Sequence, residues 1–103
     1  MFIFNTTFMI NDSITKAWKQ WMERNYLPTM KDLVKDLRVE LYEVMAVVEE
    51  GNTNYSCQMQ CSNPADMDTI NKYNAILINN AKGEFGENCL TFSSILKEVA
   101  PIG

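Results

Sequence analysis

Alternating hydrophobic and polar residues mark two adjoining segments in the middle of the chain. Residues 39–48 and 53–61 are rich in β-branched and aromatic side chains, and Gly51-Asn52 between them is a turn signal. We therefore expect a β-hairpin, whose side chains point alternately to its two faces. Pairing about the turn predicts a core face made of Tyr42, Val44, Ala46, Val48, Tyr55, Cys57, Met59 and Cys61. The opposite face is then made of Leu41, Glu43, Met45, Val47, Ser56, Gln58 and Gln60.

Two further strands are predicted at the ends of the chain, over residues 2–10 and 88–96, because both segments alternate. The first strand separates Phe2, Phe4, Thr6 and Phe8 from Ile3, Asn5, Thr7 and Met9. The last strand separates Leu90 and Phe92 from Cys89, Thr91, Ser93 and Ile95. We expect the phenylalanines and Leu90 to belong to the core.

Apolar residues at helical spacing predict helices between the strands. Asn11 or Asp12 caps a first helix with the stripe Ile14, Ala17, Trp18, Trp21 and Met22. Pro28 disfavours helix at the residue before it, so this helix is expected to end near Asn25 or Tyr26. A short second helix follows, with a capping box at Thr29 and Asp32 and the stripe Met30, Leu33, Val34 and Leu37.

The second long helix has a clear start at Asn63-Pro64-Ala65-Asp66, with an N-cap residue, proline at the first position and an acid at the third. Its stripe is Met67, Ile70, Asn74, Leu77, Ile78 and Ala81. Either Gly83 or Gly86 ends this helix, since glycine is the usual residue at a helix C-terminus. Both remain open at this stage.

The predicted order is β-α-β-β-α-β, with the short extra helix before the second strand. This order is typical of the α+β ferredoxin-like sandwich, in which a four-stranded antiparallel sheet carries helices on one face. We expect residues 1–103 to form a single domain of this kind. We call the sheet face opposite the helices the open face.

The chain resembles a family of short bacterial proteins classed as a domain of unknown function with a ferredoxin-like fold. The resemblance is carried by Phe4-Asn5-Thr6-Thr7, Trp18-Lys19-Gln20-Trp21-Met22, Leu27-Pro28, Glu49-Glu50-Gly51, Tyr55-Ser56, Phe85-Gly86, Leu90-Thr91-Phe92 and Ile95-Leu96-Lys97-Glu98-Val99. It implies a fold and no activity. Histidine often occupies the Tyr26 position in those relatives, so any chemistry of that residue is absent or altered here. The architecture is also similar to the dimeric α/β-barrel proteins, which pair through the sheet and include small monooxygenases.

Composition excludes some partners. The net charge is −4 and the nine Lys and Arg residues are scattered, whereas nucleic-acid binding needs clustered cations. No segment approaches the ~20 apolar residues of a membrane span, and the first residues lack a basic signal-peptide region. With an odd count of three cysteines, which fits a reducing compartment, a cytoplasmic protein is expected.

The open face holds the candidate ligand-binding or interface residues, because polar side chains there stand among aliphatic ones. The candidates are Asn5, Thr7, Glu43, Met45, Gln58, Gln60, Thr91 and Ser93. Aliphatic side chains on this face favour a covering partner, and unpaired buried polar groups favour a partly wet contact. We therefore expect a homodimer through the sheet, with room for a small ligand between the subunits. A solvated face with a few tolerated aliphatics is the alternative.

No catalytic machinery, cofactor or metal is expected. The chain has no histidine, so a serine triad is excluded. Cys57 and Cys61 lie four residues apart on a strand, ~13 Å, beyond the ~7 Å reach of a disulfide, and are expected in the core. Cys89 is expected on the open face and partly exposed.

Two other functions remain open. One is a cofactor-independent monooxygenase or isomerase that orients its substrate with Asn5, Glu43, Gln58 and Trp18 or Trp21. Here Glu43 would be a desolvated general base. The other is a structural partner of another protein, which would dock on the free sheet edge of residues 39–48.

Overall fold

The structure is a computed structural model that describes residues 1–45 and 50–100. Its strands are β1 (Phe2–Asn11), β2 (Arg38–Glu43), β3 (Asn52–Cys61) and β4 (Cys89–Lys97). Its α-helices are α1 (Thr15–Trp21), α2 (Leu27–Leu33) and α3 (Pro64–Phe85). The predicted hairpin positions Ala46, Val47 and Val48 lie outside the described residues.

The strands form one antiparallel sheet in the order β2-β3-β1-β4. This is the ferredoxin-like arrangement, and the predicted α+β fold class is confirmed. The helices cover the face on which the alternate residues of β1, from Phe4 to Ile10, are fully buried. On β3 the buried positions run from Tyr55 to Cys61, as predicted.

The first helical segment does not end before Pro28. A π-helical turn at Met22–Tyr26 joins α1 directly to α2, and the Leu27 N–H donates to the Met22 carbonyl. In a regular α-helix Pro28 would clash with the carbonyl four residues earlier and supply no donor to it. The wider turn accommodates the proline. Thr29 consequently lies inside α2, and the predicted capping box there is wrong.

The second long helix begins as predicted and ends at the later of the two glycines. The Asn63 Oδ1 atom accepts from the backbone N–H groups of Ala65 and Asp66, which satisfies two donors that a helix start leaves free. Gly83 is inside α3, whereas Gly86 follows its last residue with φ +57°. A positive φ favours glycine, which lacks the Cβ atom that penalises this conformation.

An aromatic cluster forms the centre of the core between sheet and helices. The ring centroids of Phe8 and Trp18 are 5.2 Å apart, and those of Trp18 and Tyr55 are 4.6 Å apart. The Tyr26 ring meets Phe8 edge-on at 5.7 Å. These contacts fasten α1 and the π-helical turn to the two central strands.

Within residues 1–45 and 50–100, none of the helices combines the length and the apolar character that a membrane crossing requires.

Candidate functional site

The open face is a grid, because residues paired across antiparallel strands lie on the same side of the sheet. Reading the pairing from β2 through β3 and β1 to β4 gives four rows. They are Arg38-Gln60-Ile3-Leu96, Glu40-Gln58-Asn5-Ser94, Tyr42-Ser56-Thr7-Phe92 and, without a β2 member, Asn54-Met9-Leu90.

Four of the predicted site residues share this face, namely Asn5, Thr7, Gln58 and Gln60. The Asn5 side chain is fixed by its neighbours. Its Oδ1 atom accepts from the Ser56 hydroxyl at 2.6 Å, and its Nδ2 group donates to the Thr7 hydroxyl at 3.4 Å. The centre of the face is therefore a small patch of connected amide and hydroxyl groups.

The predicted orientation of β2 is wrong. Leu41 pairs with Cys57, and Glu43 pairs with Tyr55, so both lie on the helix side of the sheet. Tyr42, predicted to be buried, is 47% exposed on the open face. A shift of the hairpin pairing by one residue moves every side chain of a strand to the other face. Glu43 therefore does not join Gln58.

Met45 also differs from the prediction. It lies beyond the last residue of β2 and is 86% exposed. Hence it is not placed on the open face by strand pairing.

The predicted orientation of β4 is likewise inverted. Thr91 pairs with Phe8 and Ser93 pairs with Thr6, so both face the helices. Cys89 is fully buried, while Leu90 and Phe92 are 48% and 59% exposed on the open face. The strand carries apolar residues on both faces, so its alternation alone did not show which face is the core.

These corrections divide the open face into two halves. The half formed by β1 and β4 carries the apolar residues Ile3, Met9, Leu90, Phe92 and Leu96. Of these, Leu90 and Phe92 were predicted to lie in the core. The half formed by β2 and β3 is polar. Its charged strand positions are Arg38 and Glu40, which form an ion pair at 2.9 Å, and Tyr42 donates a hydrogen bond to Glu40.

A second polar group lies beneath the helices and joins two of the layers. The Tyr26 hydroxyl donates to the Asn74 Oδ1 atom at 2.5 Å, and the Asn74 Nδ2 group donates to the Ser93 hydroxyl at 3.2 Å. The Ser93 and Thr6 hydroxyls share a further hydrogen bond at 2.8 Å. The sequence pattern did not predict this network, although Asn74 in the apolar stripe of α3 was a signal for it.

This network holds Tyr26 in its neutral form. Burial raises the pKa of Tyr26 well above its ordinary value, and the nearby Cys57 raises it further, while a hydrogen bond with Thr6 acts in the opposite direction. The protonated hydroxyl is therefore a permanent donor to Asn74. Its role is structural: it fixes the π-helical turn to α3.

Replacing Tyr26 with phenylalanine should lower the free energy of unfolding by about 1–3 kcal/mol, because the Asn74 carbonyl would remain buried without its donor. Tyr73→Phe is the matched control, since Tyr73 is only partly buried on α3. We expect it to change stability by less than about 0.5 kcal/mol. Urea unfolding of both variants measures the difference, and equal effects would contradict the assigned role.

The cysteines are free and buried. Burial raises the pKa of the Cys57 thiol to about 12 and that of Cys89 to about 11, although Lys82 partly offsets the second shift. Because the thiolate is the nucleophilic form, neither group is activated. Cys89 was predicted to be partly exposed on the open face, and this prediction is wrong: Cys89 lies in the core. In the part of the chain that the structure describes, no three potential His, Cys, Asp or Glu ligands come together for a metal.

The residues of the alternative enzyme site are not brought together. Trp18 and Trp21 are buried between the sheet and the helices, on the side opposite Asn5. Glu43 is also on that side, at an exposed strand end. Side chains separated by the sheet cannot contact one substrate on the open face.

A cleft of about 440 Å³ lies at the end of the sheet where Arg38 pairs with Gln60. It is bounded by the segment after α2 and by the end of β3, and its walls include Val34, Leu37, Arg38, Cys61 and Asp66. Charges of both signs line it beside apolar groups. Arg38, one of these charges, is already paired with Glu40.

Comparison with known proteins identifies both a family and a fold. Residues 1–99 match a family model described as "Domain of unknown function (DUF4286)". No curated protein matches the chain.

Solved structures match over nearly the full length. The de novo designed protein Foldit4 has a TM-score of 0.66 at 6% identity, covering 95% of this chain and 98% of its own. HapK from Hahella chejuensis has a TM-score of 0.65 at 10% identity, covering 100% and 97%. A dimeric ferredoxin-like protein from an uncultured marine organism has a TM-score of 0.62 at 13% identity, covering 98% and 97%. At such identities the likeness establishes the fold alone.

Proposed function

We propose a function on the premise that this chain belongs to the family described as a domain of unknown function (DUF4286): it is a non-catalytic binding protein that acts as a homodimer. The open faces of two subunits pack together. A small polar ligand is held between them by the amide and hydroxyl groups at the centre of the face.

The apolar half of the open face is the observation that carries this proposal. Leu90, Phe92 and Leu96 are each about half exposed. Burial of a fully exposed side chain of this size is worth ~1.5–3 kcal/mol, so each would contribute about half of that in a covered interface. Met9, Leu90 and Phe92 adjoin at one end of β1 and β4. Ile3 and Leu96 pair at the other end, and the polar pair Asn5 and Ser94 lies between the two groups. Exposed apolar side chains that adjoin one another in this way mark an interaction surface, unlike scattered single residues.

The size and charge of the open face favour a second copy of the chain as its partner. Four strands ~4.8 Å apart and about nine residues of ~3.3 Å give a face of roughly 600 Å². Stable interfaces bury about 800 Å² on each side, with the smaller ones near 600 Å². Arg38 and Glu40 neutralise each other, so two copies can meet without net repulsion. One structural neighbour is itself described as a dimeric ferredoxin-like protein.

The polar patch supports the ligand part of the proposal. Asn5, Ser56 and Thr7 are connected by hydrogen bonds, and Gln58 and Gln60 lie beside them on β3. In a closed dimer these groups would face their copies across the contact, where unpaired donors and acceptors are costly. A small neutral molecule with several hydroxyl or carbonyl groups would satisfy them, in the manner of pockets that place few polar groups in apolar walls.

Thr7→Lys tests the dimer, because it puts a charge at the centre of the open face. We expect the weight-average mass in sedimentation velocity to fall to about half of the wild-type value, since a desolvated unpaired charge costs several kcal/mol. Gln20→Lys is the matched control: it adds the same charge on the exposed side of α1. It should leave the mass unchanged. A Thr7→Lys variant with the wild-type mass would contradict the proposal.

A further inference from the structure

The outer edge of β4 is a second surface of the sheet. β4 is nine residues long, pairs with β1 on one side and is the last strand in the sheet order. In the described residues no strand pairs with its other side. Backbone N–H and C=O groups along such an edge are ready to pair with another strand.

The hydrogen bonds between β4 and β1 show which backbone groups of β4 are left free at this edge. The Glu98 N–H donates to the Met1 carbonyl at 2.9 Å, one pair beyond the β1–β4 ladder. Hydrogen-bonded pairs alternate along an antiparallel ladder, so the even-numbered residues of β4 bond to β1. The backbone groups of Thr91, Ser93 and Ile95 therefore point outward.

The two edges of the sheet differ in protection. β2 has three charged residues among six, namely Arg38, Glu40 and Glu43, and edge charges are a usual means of preventing strand addition. β4 has no charged residue from Cys89 to Leu96. Leu90, Phe92, Ile95 and Leu96 are each about half exposed along it. The β2 edge, which was predicted to dock another protein, is therefore the edge that charged residues protect from strand addition.

We propose that the β4 edge binds the β4 edge of a second copy as an antiparallel strand, with the two-fold axis at Ser93. This register pairs all nine residues of the strand. Thr91 then pairs with the second copy's Ile95, and Leu90 lies opposite its Leu96. Phe92 meets a small residue, Ser94, and Lys97 meets the uncharged Cys89.

The register explains why a second copy fits better than an unrelated strand. The outward groups of odd-numbered residues meet each other, so every free donor finds an acceptor. The apolar residues on both faces gain an apolar or small neighbour, and no like charges are opposed. The Ser93 hydroxyl keeps its bonds to Thr6 and Asn74, because only backbone groups are used.

This contact uses the edge of the sheet and is independent of the open-face dimer. A chain that forms both contacts assembles beyond a dimer, and stops at four subunits where the two axes intersect at right angles. A chain that forms either contact alone assembles to two. Loss of the open-face contact by Thr7→Lys therefore leaves the β4 contact intact.

A mixed disulfide tests the proposal. Thr91→Cys and Ile95→Cys are made as separate proteins, both in the Thr7→Lys background, and are oxidised mildly alone and mixed. In the proposed register the two positions are paired about 5.5 Å apart between Cα atoms, which suits a disulfide. The mixture should form a crosslinked dimer that joins one protein of each kind. Each variant alone should not, because its own cysteines would lie about 13 Å apart.

Two results would overturn the proposal: no crosslink in the mixture of folded variants, or equal crosslinking of each variant alone. Amide hydrogen exchange of the Thr7→Lys protein is a second measurement that needs no added cysteine. At a total concentration of about ten times the dissociation constant, about one fifth of the chains are monomeric, so the Ser93 and Ile95 amides should exchange about fivefold more slowly than in dilute protein. The Phe92 and Ser94 amides, which bond to β1, should be equally slow at both concentrations. Concentration-independent exchange at Ser93 would also overturn the proposal.

Discussion

Replacing Phe8 with alanine is expected to lower the free energy of unfolding by about 3–5 kcal/mol, the range for a large-to-small change at a buried phenylalanine. Phe8 is fully buried on β1. Its ring lies 5.2 Å from that of Trp18 and meets Tyr26 edge-on. Alanine would leave a cavity under the helices and remove two aromatic contacts, each worth ~0.5–1.5 kcal/mol beyond the buried area. Urea unfolding followed by tryptophan fluorescence measures the loss.

The same substitution at Phe92 is the matched control. Phe92 is 59% exposed on the opposite face of the sheet, so Phe92→Ala should change the stability of the monomer by less than about 0.5 kcal/mol. Any larger effect should depend on protein concentration, because the side chain lies in the proposed interface. A concentration-independent loss as large as that of Phe8→Ala would mean that β4 has the opposite orientation.

The contrast between these phenylalanines shows what the sequence could reveal. The strand at Phe8 alternates large apolar residues with polar ones, so its buried side follows from composition alone. The same is true of β3, where Ser56, Gln58 and Gln60 separate the buried residues. The apolar stripes of the helices and the N-cap at Asn63 could also be predicted, because each depends on residues within a few positions of one another. Together these local signals were sufficient for the fold class.

Orientation failed where it depended on a distant partner. On β2, Tyr42 and Leu41 are both compatible with a core, and only the pairing with β3 decides between them. That pairing depends on the length of the connection and not on the Gly51-Asn52 signal alone. On β4, both faces carry apolar residues, since one meets the helices and the other forms the exposed patch. A strand that serves two surfaces gives no clear alternation.

The buried network was hidden for a similar reason. Tyr26 and Asn74 are separated by 48 residues, and each looked ordinary in its own segment. Asn74 was recognised as part of an apolar stripe, but its partner could be identified only after α3 had been packed against the π-helical turn. The wrong helix end predicted before Pro28 also hid this hydrogen bond. A helix that ended at Tyr26 would not have held the Tyr26 side chain against α3.

Raising the pH from 8 to 10.5 is expected to lower the free energy of unfolding by about 4 kcal/mol through two buried thiols. Burial raises the pKa of Cys57 from 9.0 to about 12 and that of Cys89 to about 11. Above pH 9 the unfolded chain releases these protons, whereas the folded chain keeps them. Stability is therefore full below pH 9 and is lost as the pH rises toward the folded pKa values. Each thiol accounts for about 2 kcal/mol at pH 10.5, and Tyr26 adds a further loss at higher pH.

Cys57→Ala isolates one of these contributions. The variant is less stable at pH 8 because of the lost packing, but its stability should fall by only about 2 kcal/mol between pH 8 and 10.5. Urea unfolding under reducing conditions at both pH values measures the two slopes. Identical slopes for wild type and variant would mean that the Cys57 thiol titrates as it does in the unfolded chain. Such a thiol would have to reach water, and β3 could not then turn its odd-numbered residues toward the helices. The alkaline slope thus tests the same strand orientation on which the open face, the dimer and the binding patch depend.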